Sequence, residues 1–273
     1  MASLGQIIFC SMITLIILFS ALIILILSLA LTGSTPSVMS SNKKPIANLG
    51  QDGLLRCYLN TAGENPIINR VSVTWEKKGL TGLVYKYVDG AVDLKDQNPQ
   101  FKGRTQGFPG SLVRGNGSLL LRVVRSSDEG EYTCSISSSE GRGSVNIQLR
   151  TAAFSAPTFK FSNGTLFAEA RRWFPEPNVT WSDHDGHILQ GSTNFTQNSA
   201  GIFSVVSVLR SANISDTYTY RIENNLVIAL SRATISGSEV SANTYFIYNA
   251  ASSLLASTYL GIMTSVLCIY YLT

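Results

Sequence analysis

Along the middle of the chain, apolar and polar residues alternate with a period of two. Leu55, Cys57 and Leu59 fall on one face of a first extended run, and Val71, Val73 and Trp75 on one face of a second. Leu119, Leu121 and Val123 repeat the pattern, as do Tyr132, Cys134 and Ile136, and residues 144–149 close the series. This is the period of half-buried strands. Gly63, Lys78-Gly79, Asp89-Gly90, Asn98-Pro99 and Gly115-Asn116-Gly117 punctuate the runs as turns. A second series follows at 165–170, 179–182, 203–209 and 218–222. Both chain ends break the alternation, because residues 7–31 and 254–272 are almost continuously apolar.

The spacing of three residue types turns this strand list into a fold. Cys57 and Cys134 stand 77 positions apart with Trp75 between them. The second cysteine closes the run Asp128-Glu129-Gly130-Glu131-Tyr132-Thr133-Cys134. That order is the signature of an immunoglobulin sandwich: a strand B cysteine, a strand C tryptophan, and a strand F cysteine two residues after a corner tyrosine. The long spacing leaves room for the extra strands of a variable-type domain. In such domains an arginine opening strand D pairs with an aspartate of the E–F turn, so Arg104 and Asp128 are expected to form a bidentate ion pair. A shorter constant-type sandwich is expected next, with Trp181 on strand C and Tyr218 at the corner position. The two cysteine places are taken there by Ala168 and Tyr220, so this domain has no disulfide. Tyr220 is expected to fill the volume over Trp181, and its hydroxyl then needs a partner.

Charge and cysteine use place the chain outside the cell. No Lys or Arg precedes Lys43 or follows Arg232, so a charged region lies between two uncharged ends. The net charge of +4 does not point to nucleic acid. Of the four cysteines, Cys10 and Cys268 lie in the apolar ends, which leaves Cys57 and Cys134 to form one bridge. A bridge implies an oxidising compartment, and closing a loop of this length is worth about 4.5 kcal/mol on the loop-entropy estimate. Five sequons, at Asn116, Asn163, Asn178, Asn194 and Asn213, agree with secretion. Residues 1–30 read as a signal peptide or a retained signal anchor. Small residues Ser28 and Ala30 and the oxidised domain downstream favour cleavage, and the lack of a positive charge before residue 7 opposes it. Residues 31–44 form a linker, 45–150 the variable-type domain, 151–237 the constant-type domain, and 238–253 a stalk. Residues 254–273 read either as a membrane helix or as a removable lipid-anchor signal, with Ser236-Gly237-Ser238 and Ser241-Ala242-Asn243 as attachment sites. The expected architecture is therefore all-β, two tandem immunoglobulin-like sandwiches flanked by hydrophobic helices, on the extracellular face of the plasma membrane.

Four segments carry a narrower resemblance. Arg172-Trp173-Phe174-Pro175-Glu176-Pro177 before Val179-Thr180-Trp181 resembles the B–C segment of B7 and butyrophilin constant domains. Phe101-Lys102-Gly103-Arg104-Thr105 resembles the strand D run of B7 variable domains, and Ala153-Phe154-Ser155 and Val205-Val206-Ser207-Val208-Leu209 are similar to an inhibitory B7 member. The cysteines the family keeps are absent at Ala168 and Tyr220. The resemblance implies a B7 immune checkpoint ligand on the cell surface that binds a T-cell receptor protein of unspecified identity and inhibits activation. A butyrophilin- or myelin-like protein that adheres to its own kind is the alternative. It also implies that the G–F–C–C′ sheet of the first domain is the contact face, with Glu76, Tyr85, Lys86, Tyr87, Arg142 and the loop 137–143 on it or at its rim.

Nothing in the sequence assembles catalytic chemistry. The only histidines, His184 and His187, lie in the loop Asp183-His184-Asp185-Gly186-His187. That loop has metal-ligand residue types, but a short solvated hairpin accounts for them. No Gly-x-Ser-x-Gly elbow is present, and Gly141-Arg142-Gly143 reads as a hairpin turn with no helix after it. No enzyme activity, cofactor, metal, nucleic acid or small-molecule substrate is expected.

Overall fold

A computed structural model of the chain describes residues 15–16, 18–26, 38–60, 68, 70–139 and 141–249. The first sandwich contains β1 (Val38–Met39), β2 (Ile46–Asn48), β3 (Gly53–Leu55), β4 (Tyr58–Leu59), β5 (Ser72–Lys77), β6 (Tyr85–Val88), β7 (Ala91–Val92), β8 (Thr105–Gln106), β9 (Leu119–Leu121), β10 (Gly130–Ser138) and β11 (Gly141–Ala152). Its front sheet has the order β2-β11-β10-β5-β6-β7, with β2 parallel to β11 and the rest antiparallel. The facing sheet is β3-β9-β8, and β1 pairs with β4. Inward residues of both sheets, among them Leu55, Val73, Trp75, Leu119, Leu121, Tyr132, Ile136 and Ile147, form one core.

Two details depart from the alternation. The expected strand B is split at Cys57, whose N–H donates to Ser118 Oγ (3.1 Å) rather than to a strand carbonyl. Strand E ends at Leu121, because Val123 takes a positive φ of 46° and turns outward, leaving Val124 to fill the core. Gly63 lies outside the described residues.

The second sandwich contains β12 (Thr158–Ser162), β13 (Thr165–Trp173), β14 (Asn178–Ser182), β15 (Ile188–Leu189), β16 (Gly191–Gln197), β17 (Phe203–Arg210), β18 (Thr217–Glu223), β19 (Val227–Ser236) and β20 (Glu239–Tyr248). One sheet has the order β12-β13-β17-β16 and the other β15-β14-β18-β19-β20. The last strand corrects the expected stalk. Residues 239–248 pair with β19 from Ser236↔Glu239 to Val227↔Tyr248, and Val240 and Phe246 pack on the core. The chain thus returns to the end of the domain next to the first sandwich, where Arg150 Nη2 donates to Asn249 O (2.8 Å) and Asn249 N donates to Leu226 O (2.9 Å).

The junction between the sandwiches is made of paired backbone. β11 runs on to Ala152, past the expected boundary at 150. Asn48 uses both ends of its amide on Phe154, with Nδ2 donating to O (2.9 Å) and Oδ1 accepting from N (3.3 Å). Ala153 pairs with Phe174, and the Phe154 ring lies against Phe246 and Tyr248.

The expected flanking hydrophobic helices are not supported. Residues 15–16 and 18–26 are helical and exposed, but no helix among the described residues is long and apolar enough to cross a membrane. The C-terminal apolar run lies outside the described residues, as do Cys10 and Cys268.

Candidate functional site

The outer face of the front sheet is decided by strand parity. Trp75 faces the core, and β6 pairs with β5 so that Tyr85 is opposite Trp75, Lys86 opposite Thr74 and Tyr87 opposite Val73. Side chains directly opposite share a face. The two tyrosines therefore turn inward. Tyr85 is 3% exposed, and Tyr87 is half-buried against the core. Neither is an open anchor on the outer face of this sheet, which corrects the sequence expectation. Burial pushes the Tyr85 hydroxyl's pKa up. A Cβ at Gly107 would come within 2.6 Å of that oxygen, so this ring requires glycine there.

The remaining positions do face solvent. Glu76 and Arg142 are exposed, and Lys86 is half-exposed with its ammonium 3.5 Å from Asp93. Between them lie the small polar side chains of Thr74, Thr133, Ser135 and Ser144. Most of the expected F–G loop is ladder, since pairing continues through Ser137↔Arg142 to Ser138↔Gly141. The face is thus flat and polar, with single charges set among hydroxyls. Glu140 lies outside the described residues.

Beneath this face the sandwich is closed twice. The Cys57–Cys134 disulfide joins the two layers across a Cα separation of 6.5 Å, and Trp75 Nε1 donates to Gly117 O (2.9 Å) beside it. At the lower end Arg104 and Asp128 form two parallel bonds, Nη1 to Oδ2 (2.8 Å) and Nη2 to Oδ1 (2.7 Å). Their side chains are 9% and 0% exposed, so the pair is buried. Burial opposes ionisation of Asp128, but bonds from Arg104, the Arg125 N–H and Gln100 outweigh it and hold the carboxyl below its ordinary range. Tyr132 donates its hydroxyl to Asp128 O (2.7 Å), completing the corner. Lys77, not singled out from sequence, is buried beside them. Its Nζ donates to Ser127 O (2.6 Å) and lies 5.7 Å from the centre of the Tyr132 ring, and burial lowers its pKa.

The second sandwich reaches closure by packing alone. Ala168 and Tyr220 are fully buried, and the Tyr220 ring lies 4.7 Å from Trp181 at 61°. Phe159 completes a three-ring cluster, 5.8 Å from Tyr220 and 6.3 Å from Trp181, both edge-on. Trp181 Nε1 donates to Ser207 Oγ (2.8 Å), but the Tyr220 hydroxyl has no partner among the described residues. Tyr218 departs from the first corner tyrosine, since its oxygen accepts from the Asn213 N–H (2.9 Å).

Four sequon asparagines, Asn163, Asn178, Asn194 and Asn213, are exposed on the second sandwich. Asn116 is half-buried, with Oδ1 accepting from the Ser118 N–H (3.1 Å) and with Ser118 itself buried. The carboxylates and ring of Asp183, Asp185 and His187 approach within 4.8 Å of one another. Asp183 spends its oxygens locally, accepting from the Asp185 and His187 N–H groups and from His187 Nδ1, which builds a hairpin loop.

Comparison with known proteins gives the same two-part division. The family model of the immunoglobulin V-set domain matches residues 40–151, and that of the butyrophilin subfamily 3 member A2-like Ig-C domain matches residues 161–229. The human V-set domain-containing T-cell activation inhibitor 1 is 35% identical over 98% of this chain and 97% of its own length. The rat protein of that name is 38% identical over 88% and 87%. Among solved structures, the human B7-H4 IgV-like domain is 30% identical, covers 43% of this chain and 98% of its own, and superposes with a TM-score of 0.38. Identity carried along nearly the full length, through both sandwiches, means that this chain belongs to the B7 family.

Proposed function

We propose that this chain is a co-inhibitory ligand of the plasma membrane, which binds a receptor on T cells and inhibits their activation. The observation that carries this reading is identity of 35–38% over both domains to proteins named as inhibitors of T-cell activation. The mechanism is binding. The outer face of β11-β10-β5-β6 presents Glu76, Lys86 and Arg142 to the receptor on a surface of small hydroxyls. Such a face reads charge pattern rather than offering a large apolar anchor, so its effect falls on specificity and encounter rate. Mass for sugar is available at Asn163, Asn178, Asn194 and Asn213, away from that face. The run 254–272 supplies the anchor, as a helix or as a lipid-attachment signal.

The test uses cells that display the full chain, co-cultured with T cells stimulated through their antigen receptor. The expected outcome is reduced proliferation, relieved by combining Glu76→Lys, Lys86→Glu and Arg142→Glu at unchanged surface level. Suppression untouched by those reversals would move the site off the front sheet, and enhanced proliferation would overturn the inhibitory reading. Clustering that requires the chain on both cells would instead favour adhesion to its own kind.

A further inference from the structure

Strand β20 does more than widen a sheet. On the outer face of that sheet its residues alternate with the core-facing Val240 and Phe246. Near the hairpin the outward residues are polar: Glu239, Ser241 and Asn243. Toward the junction they become Tyr245 and Ile247, 57% and 43% exposed. The register sets Tyr245 opposite Leu230 and Ile247 opposite Ile228, so a four-residue apolar patch lies at one corner of the sheet. The opposite corner, with Thr234, Ser236 and Glu239, is polar.

The chain beyond this patch fixes what can cover it. Four residues lie between Asn249 and Leu254, where the apolar run begins, which makes five chain steps. Fully extended, they reach about 18 Å. The hairpin at the far end of the domain is ten strand residues away, or about 30 Å at 3.3 Å per residue. Asn249 is tied by its N–H to Leu226 O and by its carbonyl to Arg150. An apolar run entering a bilayer from this point cannot start below the far end of the second domain.

We propose that the β19–β20 corner formed by Ile228, Leu230, Tyr245 and Ile247 rests in the headgroup region of the bilayer. The junction between the two domains then lies close to the membrane, and the second domain is not an upright spacer. This rests on the reading of residues 254–272 as the anchor. The chemistry suits the place, because tyrosine with aliphatic neighbours favours the boundary between hydrocarbon and water. Asn178 is on the same face of the sheet, three strands from β20, or about 14 Å away. A sugar there limits contact to the β19–β20 edge and tilts the sheet rather than laying it flat.

The test is depth measurement on the full chain, purified from secretory-pathway expression with Cys10→Ser and Cys268→Ser, in phosphatidylcholine vesicles. A fluorophore is attached at Tyr245→Cys or, in a second variant, at Ile247→Cys, and for comparison at Ser238→Cys in the hairpin. Headgroup-spin-labelled phosphatidylcholine is expected to quench the first two labels several-fold more than the third, with melting curves unchanged. Stronger quenching at Ser238→Cys, or equal weak quenching at all three, overturns the orientation while leaving the anchor intact. Release of the protein by alkaline carbonate, or a mature chain that ends before Tyr245, overturns the anchored arrangement itself.

Discussion

The two sandwiches place the same strand C tryptophan over two different solutions to one packing problem. In the first, Trp75 sits beside a covalent link, and a buried ion pair locks the lower end. In the second, Trp181 sits beside Tyr220 and Phe159, with Ala168 providing the space. A disulfide stabilises mainly by constraining the unfolded chain rather than through contact area in the folded one. A ring cluster contributes only through contact area and edge-to-face geometry, so it depends on its neighbours staying in place. The cluster also carries a defect that sulfur atoms would not, a buried hydroxyl without a partner. The lesson is that the inter-sheet position tolerates either chemistry if the volume is conserved, but the two differ in what breaks them.

The largest breaks remove a partner outright. Asp128→Ala leaves Arg104 charged, buried and unpaired, and is expected to destabilise the first domain by about 3–5 kcal/mol. Tyr220→Ala opens a cavity over Trp181 and is expected to cost the second domain about 3–5 kcal/mol. Calorimetry of residues 38–249 resolves which transition moves in each case. A shift of both transitions together would mean that the junction couples the domains into one folding unit.

Acid separates the domains more gently. Asp128 has a carboxyl pKa below its unfolded value, so the unfolded chain binds its proton more readily. The stability this contributes is complete above the ordinary carboxylate pKa of about 3.9. It is lost as pH falls through the lower value of the folded state. The first domain's melting temperature should therefore drop below about pH 4 more in the parent than in Asp128→Asn. Equal slopes would remove Asp128 from the account.

The smallest change sharpens the comparison by repair. Tyr220→Phe keeps the ring and deletes the unpartnered hydroxyl, so the second domain should gain about 1 kcal/mol. For a domain of this size, that is roughly 4–8 °C in melting temperature. A loss would reveal a partner for the hydroxyl, such as a buried water.

Much of this arrangement was legible in the sequence, for reasons that also explain what was not. The cysteine pair, both tryptophans, Arg104 with Asp128 and the ring substitution at Tyr220 all follow from local spacing. The tyrosines of β6 do not. The short run Tyr85-Lys86-Tyr87 shows that its tyrosines share a face, but which face depends on register with β5, a non-local property. A slip of one residue would reverse it. Strand β20 was hidden because Ser241, Asn243 and Thr244 dilute its alternation until it reads as a polar stalk. Pairing with β19 supplies the order that its own composition lacks. Lys77 carries no local signal of burial, and only its place opposite Tyr132 and near Ser127 O accounts for it.

The contrast between covalent and aromatic closure is tested most directly by calorimetry of residues 38–249 with and without a strong reductant. The account predicts that reduction lowers the first domain's transition by the equivalent of about 2–5 kcal/mol, while the second domain's transition stays where it was. A first domain indifferent to the reductant, or a second domain that falls with it, would contradict the account.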